Sequence, residues 1–377
     1  MKKDNPILGV VKIFGITLFL HLFSLSVFSQ SLINYKFCLH YASLWKHSED
    51  IKYLPSISFK GFELSISKQT IGKKPWQMIY GYPTIGATAI FLQTSDSIIG
   101  NTFLLAPFIE LPLLRKGRHL VELKICTGVA YTARVYDGES NAKNLLASSK
   151  WCMSGIASLH YSYQVTSHLR VFVGANLLHA SNGALKMPNY GINCGSLSSG
   201  LVYTPDFEKI NFLSSDTEYI YPKKWSLYFN LGGGIKEIKP VYGENEKFTG
   251  KKYNVCHLSL DIGKRVCRKS ILLTGIEGFY DESLLPRVRE TEEREDVGKW
   301  ASYRIGYMIG HELVLTKTIH VITQLGIYLH NPSRVNMSNY QRYGLRFFIS
   351  KNFFISYCLK THYGIADNWE FSTGIKI

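Results

Sequence analysis

Apolar and polar residues alternate along this chain in long stretches, most regularly from about residue 100 to the C-terminus. One such stretch places a single row of apolar side chains on one face: Val121, Leu123, Ile125, Val129 and Tyr131. The facing positions carry Glu122, Lys124, Gly128 and Ala130. Successive side chains of a β-strand point to opposite faces, so a period of two indicates strands. The pattern therefore predicts an all-β protein.

Three properties of these strands favour a transmembrane β-barrel over a soluble sandwich. The strands run for about 9 to 13 residues, which is the length that a tilted strand needs to cross a bilayer. Their polar faces are rich in Gly, Ser, Asn, Lys and Arg, which suit a barrel lumen. Aromatic residues near strand ends suggest interfacial girdles: Trp225, Trp300, Tyr340 and Trp369. We therefore predict an antiparallel transmembrane β-barrel of about 12–14 strands.

The N-terminus has the pattern of an export signal. Lys2 and Lys3 precede an apolar stretch over residues 7–28, and small residues lead to a cleavage point after Ser29. An uncleaved anchor helix is the alternative. We predict a signal peptide over residues 1–29 and one outer-membrane β-barrel over residues 30–377, although residues 30–70 alternate poorly. The last strand ends on apolar Ile377, as in outer-membrane proteins, which predicts the outer membrane of a Gram-negative bacterium.

The composition limits the classes of binding partner that we expect for this chain. Of its 377 residues, 46% are hydrophobic and 19% charged, with a formal net charge of +15. The high apolar content argues against disorder. A basic chain favours anionic partners. The sequence has no nucleic-acid-binding motif, so we expect no nucleic acid. The Lys and Arg residues are either loop and interface charges or contacts to the phosphates of an anionic lipid.

The seven cysteines are widely spaced, with no CxxC pair and no zinc pattern. We interpret them mainly as small apolar residues on strands. One disulfide, within Cys256 and Cys267 or within Cys126 and Cys152, is left open.

The segment 169–193 carries the candidate chemistry. Its first half is a predicted strand with one apolar face: Leu169, Val171, Val173, Ala175 and Leu177. The next two residues on that face are His179 and Ser181. Residues i and i+2 of a strand lie about 6.6 Å apart at Cα, so the imidazole can reach the hydroxyl. The pair is either a nucleophile with its base or two ordinary interface residues before an Asn-Gly turn.

Two runs in this segment occur in a fixed order, His179-Ala180-Ser181-Asn182-Gly183 and then Pro188-Asn189-Tyr190-Gly191-Ile192-Asn193. This order resembles the outer-membrane lipid A 3-O-deacylases, which are grouped with the acyloxyacyl hydrolase-like barrels. The resemblance implies a serine esterase on the outer wall of a barrel. By position, Ser181 is its nucleophile and His179 its general base. The residue that orients the imidazole falls at Asn193, where well-known members carry Glu.

The resemblance also implies supporting residues. Asn182 and Asn189 are candidate oxyanion donors, through side chain or backbone amide. Gly183 and Gly191 are expected to let the backbone approach the substrate or form the turn.

The implied function is removal of an ester-linked acyl chain from lipid A, with lipopolysaccharide acyl chains and the membrane as partners and no cofactor or metal. One alternative is an outer-membrane phospholipase, which could require calcium. The other is a transport or structural barrel with a vestigial site, which Asn193 favours because its amide cannot stabilise an imidazolium with a full charge.

Overall fold

The structure is a computed structural model that describes residues 32–205, 210–214, 224–239, 250–291, 294, 297–332 and 338–377. The predicted signal peptide lies outside these residues. The first eight strands are β1 (Ile33–Leu44), β2 (Ser58–Gln69), β3 (Thr84–Gln93), β4 (Thr102–Lys116), β5 (His119–Thr132), β6 (Trp151–Gln164), β7 (Leu169–Ser181) and β8 (Ile192–Tyr203). The next eight are β9 (Trp225–Lys236), β10 (Tyr253–Arg265), β11 (Ser270–Asp281), β12 (Tyr303–Val314), β13 (Ile319–His330), β14 (Asn339–Phe348), β15 (Phe353–His362) and β16 (Ile365–Lys376).

These strands form two closed antiparallel barrels. In barrel 1, β8 pairs back onto β1, with Tyr35 opposite Tyr203. In barrel 2, β16 pairs back onto β9, with Phe371 opposite Gly233. The all-β antiparallel barrel class is confirmed, but one barrel of about 12–14 strands is not what forms. Alternation reports the face of each strand and not the pair of strands that closes a sheet.

The poorly alternating residues 30–70 contain two full strands of barrel 1, β1 and β2. Their alternation is weak in sequence because apolar residues such as Cys38, Ala42 and Phe59 lie buried in the lumen.

Each barrel has an apolar exterior and a polar interior. Val173 and Leu177, on the outer face of β7, are 56% and 61% exposed. Inside, buried charges are paired, as buried ions must be. Lys124 Nζ lies 2.6 Å from Glu63 in barrel 1, and Arg342 lies 2.6 Å from Glu277 in barrel 2. This arrangement is that of a barrel embedded in lipid.

The connections divide each barrel into two ends. One end, called here the loop end, carries the residues between β1 and β2 (45–57), between β5 and β6 (133–150) and between β7 and β8 (182–191). The other end carries short turns such as 117–118. Among the described residues, the connections contain two α-helices, α1 (Pro75–Ile79) and α2 (Leu284–Thr291), and two short 3-10 helices, Glu49–Ile51 and Lys299–Ser302. Within the described ranges, no helix has the length and apolarity to cross a membrane.

A cluster of buried apolar side chains fills the lumen of barrel 1 towards its loop end. It includes Leu54 and Leu146 from connections, together with Leu178 and Ala180 from the inner face of β7. Close packing of this kind holds the end of β7 in one position.

The structure decides the open question of a disulfide and corrects one smaller expectation, the place of Tyr340. All seven cysteines are free. Cys256 lies near the start of β10 and Cys267 beyond its end, whereas Cys126 and Cys152 are four residues out of register, so neither pair meets disulfide geometry. Tyr340 is fully buried in barrel 2 and donates a hydrogen bond to Glu277, so it does not belong to an outer girdle.

Candidate active site

Ser181 is the last residue of β7, and His179 precedes it on the same outer face at the loop end of barrel 1. The Ser181 hydroxyl lies 2.9 Å from His179 Nε2, to which it donates a hydrogen bond. His179 Nδ1 lies 2.5 Å from Asn193 Oδ1. Asn193 is the cross-strand partner of His179 in the pairing of β7 with β8. The register of two adjacent strands thus assembles a continuous Ser–His–Asn chain of hydrogen bonds.

A second histidine contacts the Asn193 amide. Asn193 Nδ2 lies 3.1 Å from His47 Nδ1, while the carbonyl oxygen of Asn193 faces His179. An amide oxygen here holds the Nδ1–H tautomer of His179 and leaves Nε2 free to accept a proton. No sequence pattern points to His47, which is separated from Asn193 by 146 positions.

The nucleophile is recessed, while the base lies at the surface. Ser181 is 4% exposed, beneath the connection 182–191, and His179 is exposed on the outer wall. Gly191 has a φ of +81°, and a Cβ atom at that position would lie 3.0 Å from His179 Cε1. Glycine at this position therefore serves both the turn and the close approach of the imidazole.

Asn182, an expected oxyanion donor, has other partners for its donors in this structure. Its side-chain amide donates to Ser148 Oγ, Ser149 Oγ and the Lys186 carbonyl, at 3.1, 3.2 and 2.8 Å. Its backbone N–H donates to Asn189 Oδ1 at 3.0 Å. Both donors of Asn182 are therefore used to shape the connection 182–191.

Two of the other expected supporting residues keep a free donor. Asn189 uses its oxygen for Asn182, and its Nδ2 meets no partner within the described ranges. Gly183 has a φ of +64°, and its N–H donates to none of the described residues. The Gly191 N–H, in contrast, donates to the Leu146 carbonyl at 2.8 Å.

Barrel 2 holds the outer side of this connection. The Glu237 N–H donates to the Ala184 carbonyl at 2.8 Å, and Lys252 donates to the Leu185 carbonyl. Trp369 packs so closely on Gly183 that a Cβ atom there would lie 2.0 Å from the indole nitrogen. The site of barrel 1 is therefore built partly against barrel 2.

A polar contact outside the strands, called here the polar clamp, adds to these contacts between the barrels. The Tyr190 hydroxyl donates to Asp50, and Lys239 contacts both residues. The Tyr190 hydrogen bond and Lys239 lower the pKa of Asp50. Burial and the hydrogen bond to Asp50 raise the pKa of Tyr190.

One group of potential metal ligands occurs among the described residues: Cys38, His40 and Glu63, with ligand atoms within 4.8 Å of one another. Glu63 is already paired with Lys124 at 2.6 Å and with His40 at 3.1 Å. The group lies in the lumen of barrel 1, on the opposite side of the wall from Ser181, and belongs to the interior ion pairs.

Residues 225–377, which contain all of barrel 2, match the family described as acyloxyacyl hydrolase, C-terminal domain. The match supports the family resemblance seen in the segment 169–193, although that segment lies in barrel 1, outside the matched residues. A search of curated proteins finds no match.

Among solved structures, the chain is similar to Neisserial surface protein A (11% identity, TM-score 0.34), over 46% of this chain and 97% of that one. It is also similar to the outer membrane enzyme PagL (19% identity, TM-score 0.30), over 43% of this chain and 97% of that one. The NanC porin matches over 90% of this chain and 97% of its own, at 7% identity and a TM-score of 0.16. The fold itself, two closed antiparallel β-barrels, is established by the pairing of its own strands.

Proposed function

We propose that this chain is an outer-membrane serine esterase that removes an ester-linked acyl chain from lipid A and so remodels lipopolysaccharide. The premise is the acyloxyacyl hydrolase match of residues 225–377. The observation that carries the proposal is the hydrogen-bonded chain of Ser181, His179 and Asn193 on a lipid-facing wall. Export by the N-terminal signal peptide to the outer membrane of a Gram-negative bacterium is part of the proposal.

The geometry supports acyl transfer through Ser181. Its oxygen attacks the acyl carbonyl carbon while its proton passes to His179 Nε2. Asn193 Oδ1 accepts the Nδ1–H bond and keeps the ring oriented. The tetrahedral intermediate collapses when His179 gives the proton to the leaving sugar oxygen, and the acyl group stays on Ser181. Water, deprotonated by His179, then releases the fatty acid and restores the serine.

The negative charge that develops on the carbonyl oxygen needs donors beside Ser181. We assign this role to the Gly183 N–H and to Asn189 Nδ2, which are the unused donors of the connection 182–191. The assignment replaces Asn182, whose donors are occupied by Ser148, Ser149, Lys186 and Asn189.

The depth of the site fits a lipid ester. Below His179 the outer wall is apolar, with Leu177 61% and Leu197 68% exposed. Above it lie the polar connections of the loop end. An ester at the boundary between sugar and acyl chain meets both environments at Ser181.

The packing of barrel 1 weighs against a transport function. Leu54 is 2% exposed and Leu146 is fully buried in the apolar cluster of the loop end, and the lumen below holds ion pairs such as Lys36 with Glu110 at 3.0 Å. A solute would have to displace these contacts.

The test is mass spectrometry of lipid A from Gram-negative cells that express the chain. We expect loss of one hydroxyacyl mass with the wild-type chain and with Ser199→Ala, an exposed serine on the outer face of β8. Ser181→Ala should leave lipid A intact, since removal of the nucleophile costs on the order of 10⁶-fold in rate in serine hydrolases of this kind. Intact lipid A in all three strains, with barrel insertion verified, rejects the proposal. Lysophospholipid in the wild-type strain alone would identify a phospholipase instead.

A further inference from the structure

A cleft of about 440 Å³ lies between the two barrels near their loop ends. One wall comes from barrel 1 and includes Trp151, Met153 and Asn182. The other comes from barrel 2 and includes Ile235, Trp369 and Phe371. The volume falls within the range of about 300 to 1,000 Å³ that is typical of small-ligand sites.

The cleft begins beside the candidate nucleophile. Met153 on β6 is the cross-strand partner of Ser181 on β7, and Asn182 is its neighbour in sequence. Cross-strand partners have Cβ atoms about 4.5 to 5.5 Å apart. An acyl chain whose carbonyl carbon lies at Ser181 can therefore enter the cleft directly.

The walls are suited to a hydrocarbon chain. Trp151, Ile235 and Phe371 are 66, 46 and 65% exposed on the outer faces of their strands. The amide of Asn182, the polar side chain on the barrel 1 wall, already donates to Ser148 Oγ and to the Lys186 carbonyl. An acyl chain that leaves the bilayer for this cleft exchanges one apolar environment for another, so shape and van der Waals packing decide which chain fits.

Trp369 marks the polar end of the cleft. Its ring stacks on Tyr357 with centroids 4.6 Å apart and an interplanar angle of 9°. Its indole N–H is buried and has no hydrogen-bond partner among the described residues. Because this nitrogen packs on Gly183, it places an unused donor beside the connection that covers Ser181.

We infer that this cleft holds the acyl chain that is cleaved, so that barrel 2 supplies one wall of the substrate site and selects acyl-chain length. The inference rests on the proposed esterase function. Ile235 and Phe371 set the width of the cleft, and Trp369 closes it next to the ester.

The experiment compares hydrolysis of p-nitrophenyl myristate and p-nitrophenyl butyrate by the purified full chain in detergent micelles. Ile235→Trp fills the cleft, and Ile235→Ala widens it. Ile276→Trp is the matched control, since Ile276 is 59% exposed on the outer face of β11 and does not line the cleft. Barrel folding of each variant is checked by the heat-dependent shift in gel mobility.

We expect the myristate-to-butyrate ratio of kcat/KM to fall about tenfold or more in Ile235→Trp, the scale of discrimination by an apolar pocket. The ratio should rise in Ile235→Ala and keep its wild-type value in Ile276→Trp. A wild-type ratio in both Ile235 variants, with Ser181→Ala inactive on both esters, overturns the inference and leaves the esterase intact; the cleft then holds bulk membrane lipid. A folded wild-type chain that cleaves neither ester overturns both.

Discussion

The two barrels differ most at one corresponding place, the connection between the seventh and eighth strand of each. In barrel 1 it spans residues 182–191, whereas in barrel 2 it is the two-residue turn 363–364. Both seventh strands end near a histidine. His179 faces outward beside Ser181, but His362 bonds to the Tyr328 hydroxyl at 3.0 Å inside barrel 2. A shift of one residue moves a side chain to the other face of a strand. Only barrel 1 therefore has this histidine on its outer face, where the proposed chemistry takes place.

The lumens behind these connections also differ. Barrel 1 has apolar packing under β7. Barrel 2 has an ion-pair network there instead, in which Lys236 lies 2.7 Å from both Asp281 and Asp367. A reactive group needs a supporting shell that holds its geometry, and the apolar base of barrel 1 provides one. The contrast suggests that barrel 2 supports the site of barrel 1 from outside.

Of the changes that test this comparison, a methyl group added to the connection of barrel 1 should have the largest effect on activity. The same change in the connection of barrel 2 is its control. Both glycines, Gly183 and Gly364, have a positive φ, which an alanine adopts only with strain. The methyl group of Gly183→Ala would also clash with the Trp369 ring, whereas that of Gly364→Ala would point into open space. We expect Gly183→Ala to lower esterase kcat/KM on the order of 100-fold, because the connection must move off Ser181. Gly364→Ala should only destabilise by about 1 kcal/mol, with activity retained. Kinetics and thermal unfolding of both variants measure this.

The clash at Gly183 can be separated from backbone strain. If Trp369→Ala restores part of the activity of Gly183→Ala, contact with barrel 2 is the cause. Equal activities for Gly183→Ala and Gly364→Ala would show that barrel 2 does not hold the site.

An intermediate effect is expected at the partner of His179. Asn193→Leu removes the acceptor for His179 Nδ1–H, and we expect a loss of about 10- to 100-fold in kcat/KM, the equivalent of about 1 to 3 kcal/mol for an unsatisfied donor. Asn193→Asp keeps an acceptor and should retain or exceed wild-type activity. Steady-state kinetics on a soluble ester test both. Equal activity of the Leu and Asp variants would exclude Asn193 from the hydrogen-bonded chain.

The smallest effect concerns the polar clamp between the barrels. The pKa of Asp50 is lowered because Tyr190 and Lys239 favour its carboxylate. This stabilisation is therefore present above the ordinary Asp pKa and is lost as the pH falls through the lower, folded value. Tyr190→Phe should weaken protection of the connection 182–191 by about 1 kcal/mol or less, as for an exposed pair.

Hydrogen exchange of that segment in micelles provides the measurement. The difference between wild type and Tyr190→Phe should be full at about pH 6 and should shrink as the pH falls below the ordinary Asp pKa of about 3.9. Tyr53→Phe is the control, because Tyr53 bonds the Lys143 carbonyl of the same loop end instead. A pH-independent difference would mean that Asp50 is not the partner that matters.

Alternation in the sequence was sufficient to predict the strands, their apolar outer face and the pairing of His179 with Ser181, because a period of two is a local property of the chain. The family resemblance, and not the alternation, pointed to Asn193, which the structure places opposite His179. The partners of the Asn182 amide could not be predicted, because they include Ser148 and Ser149 in a different connection.

The sequence by itself determined the all-β class, the lipid-facing wall and the residues of the candidate site, since each depends on neighbours along the chain. Only the tertiary structure decided that β1 closes on β8 and β9 on β16. It also brought His47 to Asn193 and Trp369 to Gly183. Strand closure and packing between barrels join residues that are far apart in sequence, and no local pattern of hydrophobicity records such contacts.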